Sequence, residues 1–248
     1  MVNVARLRRT PSLRFVVAAA VVVSMASCST TNTSNEVRQG GTASVTTTAV
    51  PSAKALYEQM RTKVAAAKSV RVKGTVMDAG KKMTIDIAGD RDGKNTRALV
   101  SDGTGQAELL TVGPTVYIKA DTAYWTKHAS AAAAKIAADK YVKIPAGTGV
   151  GDLKVGTLLD GSFKDLPLAG ALQKVETATV NGTPAYVLAD RIGGGGGMIY
   201  VSADGKARLL RIVSTKASPG TLDFSQWDAV PPTSAPPADQ LVKIPGLG

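Results

Sequence analysis

The sequence predicts an α+β fold in which an antiparallel sheet of ten or eleven strands curls around helices. Three observations lead there. Short runs of period-two alternation follow one another, punctuated by Gly, Pro and Asn-Gly; these runs are contiguous instead of alternating with long helices; and the helical patterns are few and grouped. The apolar positions of the runs are filled mainly by Val, Ile, Ala and Gly, against three Phe and two Trp in the whole chain.

The chain opens with Arg6, Arg8, Arg9 and Arg14, continues through an apolar stretch over 15–26, and reaches Ala26-Ser27 directly before Cys28. That order reads as an export signal over 1–27. The apolar stretch is about 12 residues, where a membrane span needs roughly 20. Met25-Ala26-Ser27-Cys28 resembles the bacterial lipobox, with Met25 where leucine is usual. The expected product carries a diacylglyceryl group on Cys28 and loses the residues before it. The sole cysteine has no partner for an internal disulfide, and an unpaired thiol in an oxidising compartment is a liability. Two acyl chains hold a protein on a membrane where one does so marginally. Arg8-Arg9 is a basic pair of the ordinary kind, since Thr10-Pro11-Ser12 fits the twin-arginine pattern poorly.

Removing 1–27 takes away four Arg and no acid, so the formal net charge falls from +11 to +7. Dispersed Lys and Arg of this kind favour anionic lipid headgroups. Nucleic acid is not an expected partner, because few aromatics interleave with the charges. Residues 28–50 hold Cys28 and a Ser/Thr-rich stretch without apolar periodicity, which reads as a tether. Its 22 residues after Cys28 span about 25 Å root-mean-square when flexible.

Residues 51–248 form one domain, a size that buries a sizeable core. It begins with a helix, in which Leu56, Met60 and Val64 recur every four residues beside Tyr57, Ser52 is the N-cap and the end falls near Lys68. Val70, Val72, Gly74 and Val76 then alternate with polar residues; after a turn at 78–80, Met83, Ile85 and Ile87 do the same, which makes a hairpin. Further strands are expected over 97–101, 107–112 and 115–119. Tyr124-Trp125 falls in a loop, a second helix spans 129–139, and a strand over 141–144 stops at Pro145. Residues 146–170 suit one or two short helices. Strands resume over 174–180 and 185–190 around an Asn181-Gly182 turn of type I′, then over 198–202, 208–214 and 221–224, before a proline-rich tail over 231–237.

Little catalytic chemistry is in view, and the chain is not expected to be an enzyme. His128 is the sole histidine and Cys28 is assigned to lipid, so neither a nucleophile–histidine pair nor a zinc site has its parts. Asp86, Asp90 and Asp92 come nearest to a metal cluster, but Asp86 belongs to the polar face of a strand and Asp90-Arg91-Asp92-Gly93 reads as a turn. No metal and no cofactor beyond the covalent diacylglyceryl group is expected. The glycine run over 193–197 joins two strands and lacks the Lys-Ser or Lys-Thr of a phosphate loop, so it reads as a hairpin loop.

Several segments, in this order, resemble the mycobacterial-type LppX/LprAFG lipoproteins. After the lipobox, the tether and the amphipathic helix they are Gly113-Pro114-Thr115-Val116-Tyr117-Ile118-Lys119 with Tyr124-Trp125, Asn181-Gly182-Thr183-Pro184-Ala185-Tyr186-Val187-Leu188, Ile199-Tyr200-Val201-Ser202-Ala203-Asp204-Gly205 and Leu222-Asp223-Phe224-Ser225. The resemblance implies a LolA/LolB-like fold, an antiparallel half-barrel wrapped over helices around an apolar cavity for acyl chains. The implied role is to bind lipids or lipoglycans and carry them across the cell envelope of actinobacteria, from the outer face of the cell membrane, as a monomer and with a membrane transporter as a further partner. Strand alternation places Val70, Val72, Val76, Ile85, Ile87, Val116, Ile118, Leu210 and Ile212 on the cavity lining. The alternative is a non-carrier envelope lipoprotein, a scaffold or modulator of a membrane partner.

Overall fold

The computed structural model describes residues 50–78, 80–145, 154–164, 172–190, 197–214 and 219–244. The export signal, Cys28, most of the tether and glycines 193–196 lie outside these residues. Helix α1 spans Ala53–Ala66, and Ser52 caps it, its hydroxyl accepting from the Ala55 N–H at 3.2 Å. Leu56, Tyr57, Met60 and Val64 are its buried stripe. It stops short of Lys68 because that residue's backbone is spent elsewhere: its N–H donates to Asp228 Oδ1 at 2.6 Å, and its carbonyl accepts from the Arg91 N–H.

Strands β1 (Ser69–Asp78) and β2 (Lys81–Asp90) form the expected hairpin. β3 (Asn95–Ser101), β4 (Gln106–Val112) and β5 (Thr115–Ala120) continue the meander. Two short helices, α2 (Thr122–His128) and α3 (Ala131–Ala137), precede β6 (Tyr141–Pro145). Tyr124 and Trp125 therefore sit in a helix and not in a loop. Asp121 starts that helix, its Oδ1 accepting from the Tyr124 N–H at 2.7 Å. One further helix, α4 (Val155–Lys164), lies in the ambiguous stretch.

A second meander follows: β7 (Leu172–Val180), β8 (Thr183–Asp190), β9 (Met198–Ser202), β10 (Leu209–Ser214) and β11 (Gly220–Ser225). Asn181 and Gly182 both have positive φ, 49° and 79°, as a type I′ turn requires. The chain then crosses the outer face of the sheet as a strap, makes a 3-10 turn at Ala238–Gln240 and pairs β12 (Leu241–Val242) in parallel with β6. Two residues of strand carry too little pattern to be read from sequence, so twelve strands stand among the described residues where ten or eleven were expected.

All twelve belong to one open sheet in the order β12-β6-β5-β4-β3-β2-β1-β11-β10-β9-β8-β7. β1, the first strand made, is central and pairs with β11, almost the last. Gly74 keeps that seam close. A Cβ at this position would lie 1.8 Å from the carbonyl oxygen of Thr221. Gly74→Ala is therefore expected to lower the unfolding free energy by about 3 kcal/mol, the range of overpacked sites; a urea melt that matches the parent would refute this account of the seam.

Candidate functional site

One face of the sheet is apolar, and its register sorts it into rows that run across the strands. The first row, Val70-Gly89-Thr96-Thr111-Val116-Ile144, is buried along most of its length. The second, Phe224-Val72-Ile87-Ala98-Leu109-Ile118-Val142, is buried throughout. These two rows share one hydrophobic cluster with the buried residues of α1, α2, α3 and α4. Ile244 joins the same cluster after β12 has closed the β6 edge.

The third row differs. It runs Ile199-Ile212-Leu222-Gly74-Ile85-Val100-Ala107-Ala120, and Ile212, Leu222 and Val100 are only half-buried. Beyond it, Val76 faces Met83, and both are half-buried too. The apolar face thus opens toward the end of the sheet where β1 and β3 finish. Small and branched side chains make up this end of the face, and Gly74 stands at its middle where β1 and β11 meet closely.

Of the nine residues expected on a cavity lining, Val70, Val72, Ile85, Ile87, Val116 and Ile118 are members of the buried cluster, and Val76 and Ile212 pack against it half-buried. Leu210 stands outside the cluster. A bulge between Leu209 and Arg211 shifts the register, so that Leu209 and not Leu210 faces Val201. Strict alternation cannot see a bulge. Val100, Leu109, Leu222 and Phe224 belong to the same face and are missing from the nine; the period-two pattern that marks Ile85 runs through their strands as well and is the signal that finds them.

Helix α2 borders this end at the β3–β4 turn. Tyr124 packs on Gly105, where an added Cβ would lie 2.7 Å from the Tyr124 N–H nitrogen, and Lys127 binds Asp102 and Thr104 of the β3–β4 turn. Asp102 is held far below the usual carboxylate range, first by Lys127 and then by Thr104. His128 stacks on Tyr124 at 4.4 Å between ring centroids, and burial, with Lys127 beside it, lowers its pKa. Trp125 is 4% exposed, and its Nε1 is buried with no hydrogen-bond partner among the described residues. Leaving such a donor unpaired costs about 1–3 kcal/mol.

The opposite face carries charge. Asp86 receives both Arg71 nitrogens, at 2.7 and 2.6 Å, and the Arg71 contact holds its carboxyl below the usual range. Arg211 binds Asp223 in the same two-pronged way at 2.5 and 2.9 Å. Glu108 accepts from Arg97 at 2.6 Å and from the Tyr141 hydroxyl at 2.8 Å. The strap crosses above the Arg71–Asp86 and Arg97–Glu108 pairs, fixed where Ser69 Oγ accepts from the Val230 N–H and Asn95 Oδ1 from the Thr233 N–H. A groove of about 480 Å³, of mixed polar and apolar lining, lies between the strap and Arg71, Asp86, Arg97, Glu108 and Tyr141. Asp86, the first of the three spaced acids, spends its oxygens on Arg71 and Lys73, and Asp92 pairs with Lys94.

No family model matches the chain, and no curated protein matches it. Solved structures do. LprF from Mycobacterium bovis is 16% identical with a TM-score of 0.49, over 75% of this chain and 98% of that one. Mycobacterium tuberculosis lipoprotein LppX is 10% identical with a TM-score of 0.42, over 75% and 100%. An uncharacterized conserved protein from Thermus thermophilus is 11% identical with a TM-score of 0.34, over 78% and 100%. LprF and LppX bear the names of the lipoprotein group that the sequence resembles.

Burial, with the bond to Glu108, pushes the Tyr141 hydroxyl up to about 12. An unfolded tyrosine titrates near 10, so the raised value stabilises the fold below that pH and the contribution is lost as pH rises toward 12. Tyr141→Phe should remove this part of the alkaline decline. Melting curves of both proteins between about pH 9 and pH 12 check it, and parallel declines would count against it.

Proposed function

We propose that this chain is an envelope lipoprotein that binds acyl chains of lipids or lipoglycans against the apolar face of its sheet and carries them across the cell envelope. Residues 1–27 export it, Cys28 holds it to the outer face of the cell membrane through a diacylglyceryl group, and residues 28–50 are its leash. The observation that carries this reading is the burial gradient of the apolar face. Two rows lie sealed under the helices, while Val76, Met83, Val100, Ile212 and Leu222 lie half-open beyond them. Among the described residues no helix is long and apolar enough to cross a membrane.

Lipid transfer needs such an apolar face. Drawing a tail of ~16 carbons out of a bilayer costs on the order of 13 kcal/mol unless another dry surface encloses it. In this reading the sheet curls as a half-barrel over the helices, and Val70, Val72, Ile85, Ile87, Val116 and Ile118 line the deep part. Val76 and Ile212 form the entrance. The protein is then a binding protein and not an enzyme, and it works as a monomer with lipid as its partner and a membrane transporter as the supplier or receiver.

Substitutions to Asp in the deep rows would unfold the domain, since Val72 and Ile87 are 0% and 2% exposed. The test belongs at the entrance. Val76→Trp with Ile212→Trp is expected to cut co-purified acyl lipid roughly tenfold, as about 1.4 kcal/mol of lost binding would, while the melting temperature holds. Mass spectrometry of organic extracts reads the lipid. Parent protein free of acyl lipid, yet still capturing a membrane partner, would move the reading to a scaffold. For the anchor, Cys28→Ser should shift the protein from the membrane fraction to the soluble one, and unchanged fractionation would remove Cys28 from the account.

A further inference from the structure

The chain has two tryptophans, and their indole nitrogens differ. Trp227 Nε1 donates to the Leu209 carbonyl at 2.9 Å. Trp125 Nε1 is buried in the hydrophobic cluster with no partner among the described residues. A fold that keeps an unpaired donor inside an apolar cluster holds it in a costly state unless something else accepts from it.

The position of Trp125 says where that acceptor would come from. Its helix follows Ala120, the buried β5 end of the third row, and Lys127 ties the same helix to the β3–β4 turn, next to the half-buried Val100. The unpaired donor therefore belongs to the β3–β5 side of that end of the sheet, where Val100 is half-buried, while Val76, Leu222 and Ile212 lie farther along the same end on β1, β11 and β10. A tail lying along the apolar rows would have its polar end there.

We infer that the Trp125 indole N–H is the polar recognition point of the acyl site and donates to the carbonyl of a fatty acyl ester. This rests on the acyl-binding reading and adds the chemical class of the bound end. A neutral carbonyl suits a single neutral donor in an apolar setting. A phosphate or carboxylate would need a cation beside it, and the nearby Lys127 is engaged by Asp102. Among the described residues Thr96 Oγ1 is the other unpaired polar atom on this face, but it sits in the first row, at the far end.

The test uses the full chain labelled with ¹⁵N at its tryptophan indoles, titrated with methyl palmitate and, separately, with octadecane, which is of similar length and has no acceptor. Methyl palmitate should move the Trp125 N–H signal downfield, octadecane should not, and the Trp227 signal is the internal reference. Trp125→Phe should weaken methyl palmitate roughly tenfold and leave octadecane unchanged, as loss of one hydrogen bond requires. Retained octadecane binding shows that the variant is folded. If both ligands bind and Trp125 responds alike to each, or Trp125→Phe binds both as the parent does, the inference is overturned while acyl binding stands. If neither ligand binds the parent, the acyl-binding reading falls and takes this inference with it.

Discussion

The β1–β11 ladder is the constraint on which the rest of the structure depends. The chain folds as two meanders, β1 to β6 and β7 to β11, and this one antiparallel pairing makes them a single sheet. It sets the rows: Gly74 stands opposite Leu222 and Val72 opposite Phe224, so the apolar positions of both meanders fall on one face. Around it, Lys68 and Ser69 are fastened to the turn after β11 through Asp228 and Val230. Without that pairing each meander would expose an edge and half an apolar face.

Much of this was legible in the sequence because alternation and turn chemistry are local. The first helix, its Ser52 cap, the β1–β2 hairpin and the Asn181-Gly182 turn all follow from neighbouring residues. What stayed hidden depends on distant partners. Nothing near Leu241-Val242 announces a strand, since its two residues are ordered by β6, about 100 positions earlier. The bulge at Leu210 shows only when β9 is laid beside β10. The helix that holds Tyr124 and Trp125 escapes a pattern reading although Asp121 is a serviceable cap, because seven residues are too few for an apolar period to repeat.

The candidate site was legible to the same degree. Alternation puts six of the nine expected residues into the buried cluster and two at its margin. It cannot say which end of the face is sealed, because burial there is decided by helices that arrive from elsewhere in the chain. Nor can it mark Trp125, whose character lies in the lack of an acceptor among the described residues, a property of the surroundings and not of the residue.

The place of β1 at the centre of the sheet also governs how the molecule comes to be. Its first neighbour, β2, is synthesised at once, but its second is β11, and the contact from Lys68 to Asp228 spans 160 residues. Half of the central strand's ladder must wait for nearly the whole polypeptide. Such a topology closes its largest loop late and folds slowly, with a bare strand edge presented to other chains in the interval. A protein built this way relies on being kept apart from its own copies until its last strands emerge.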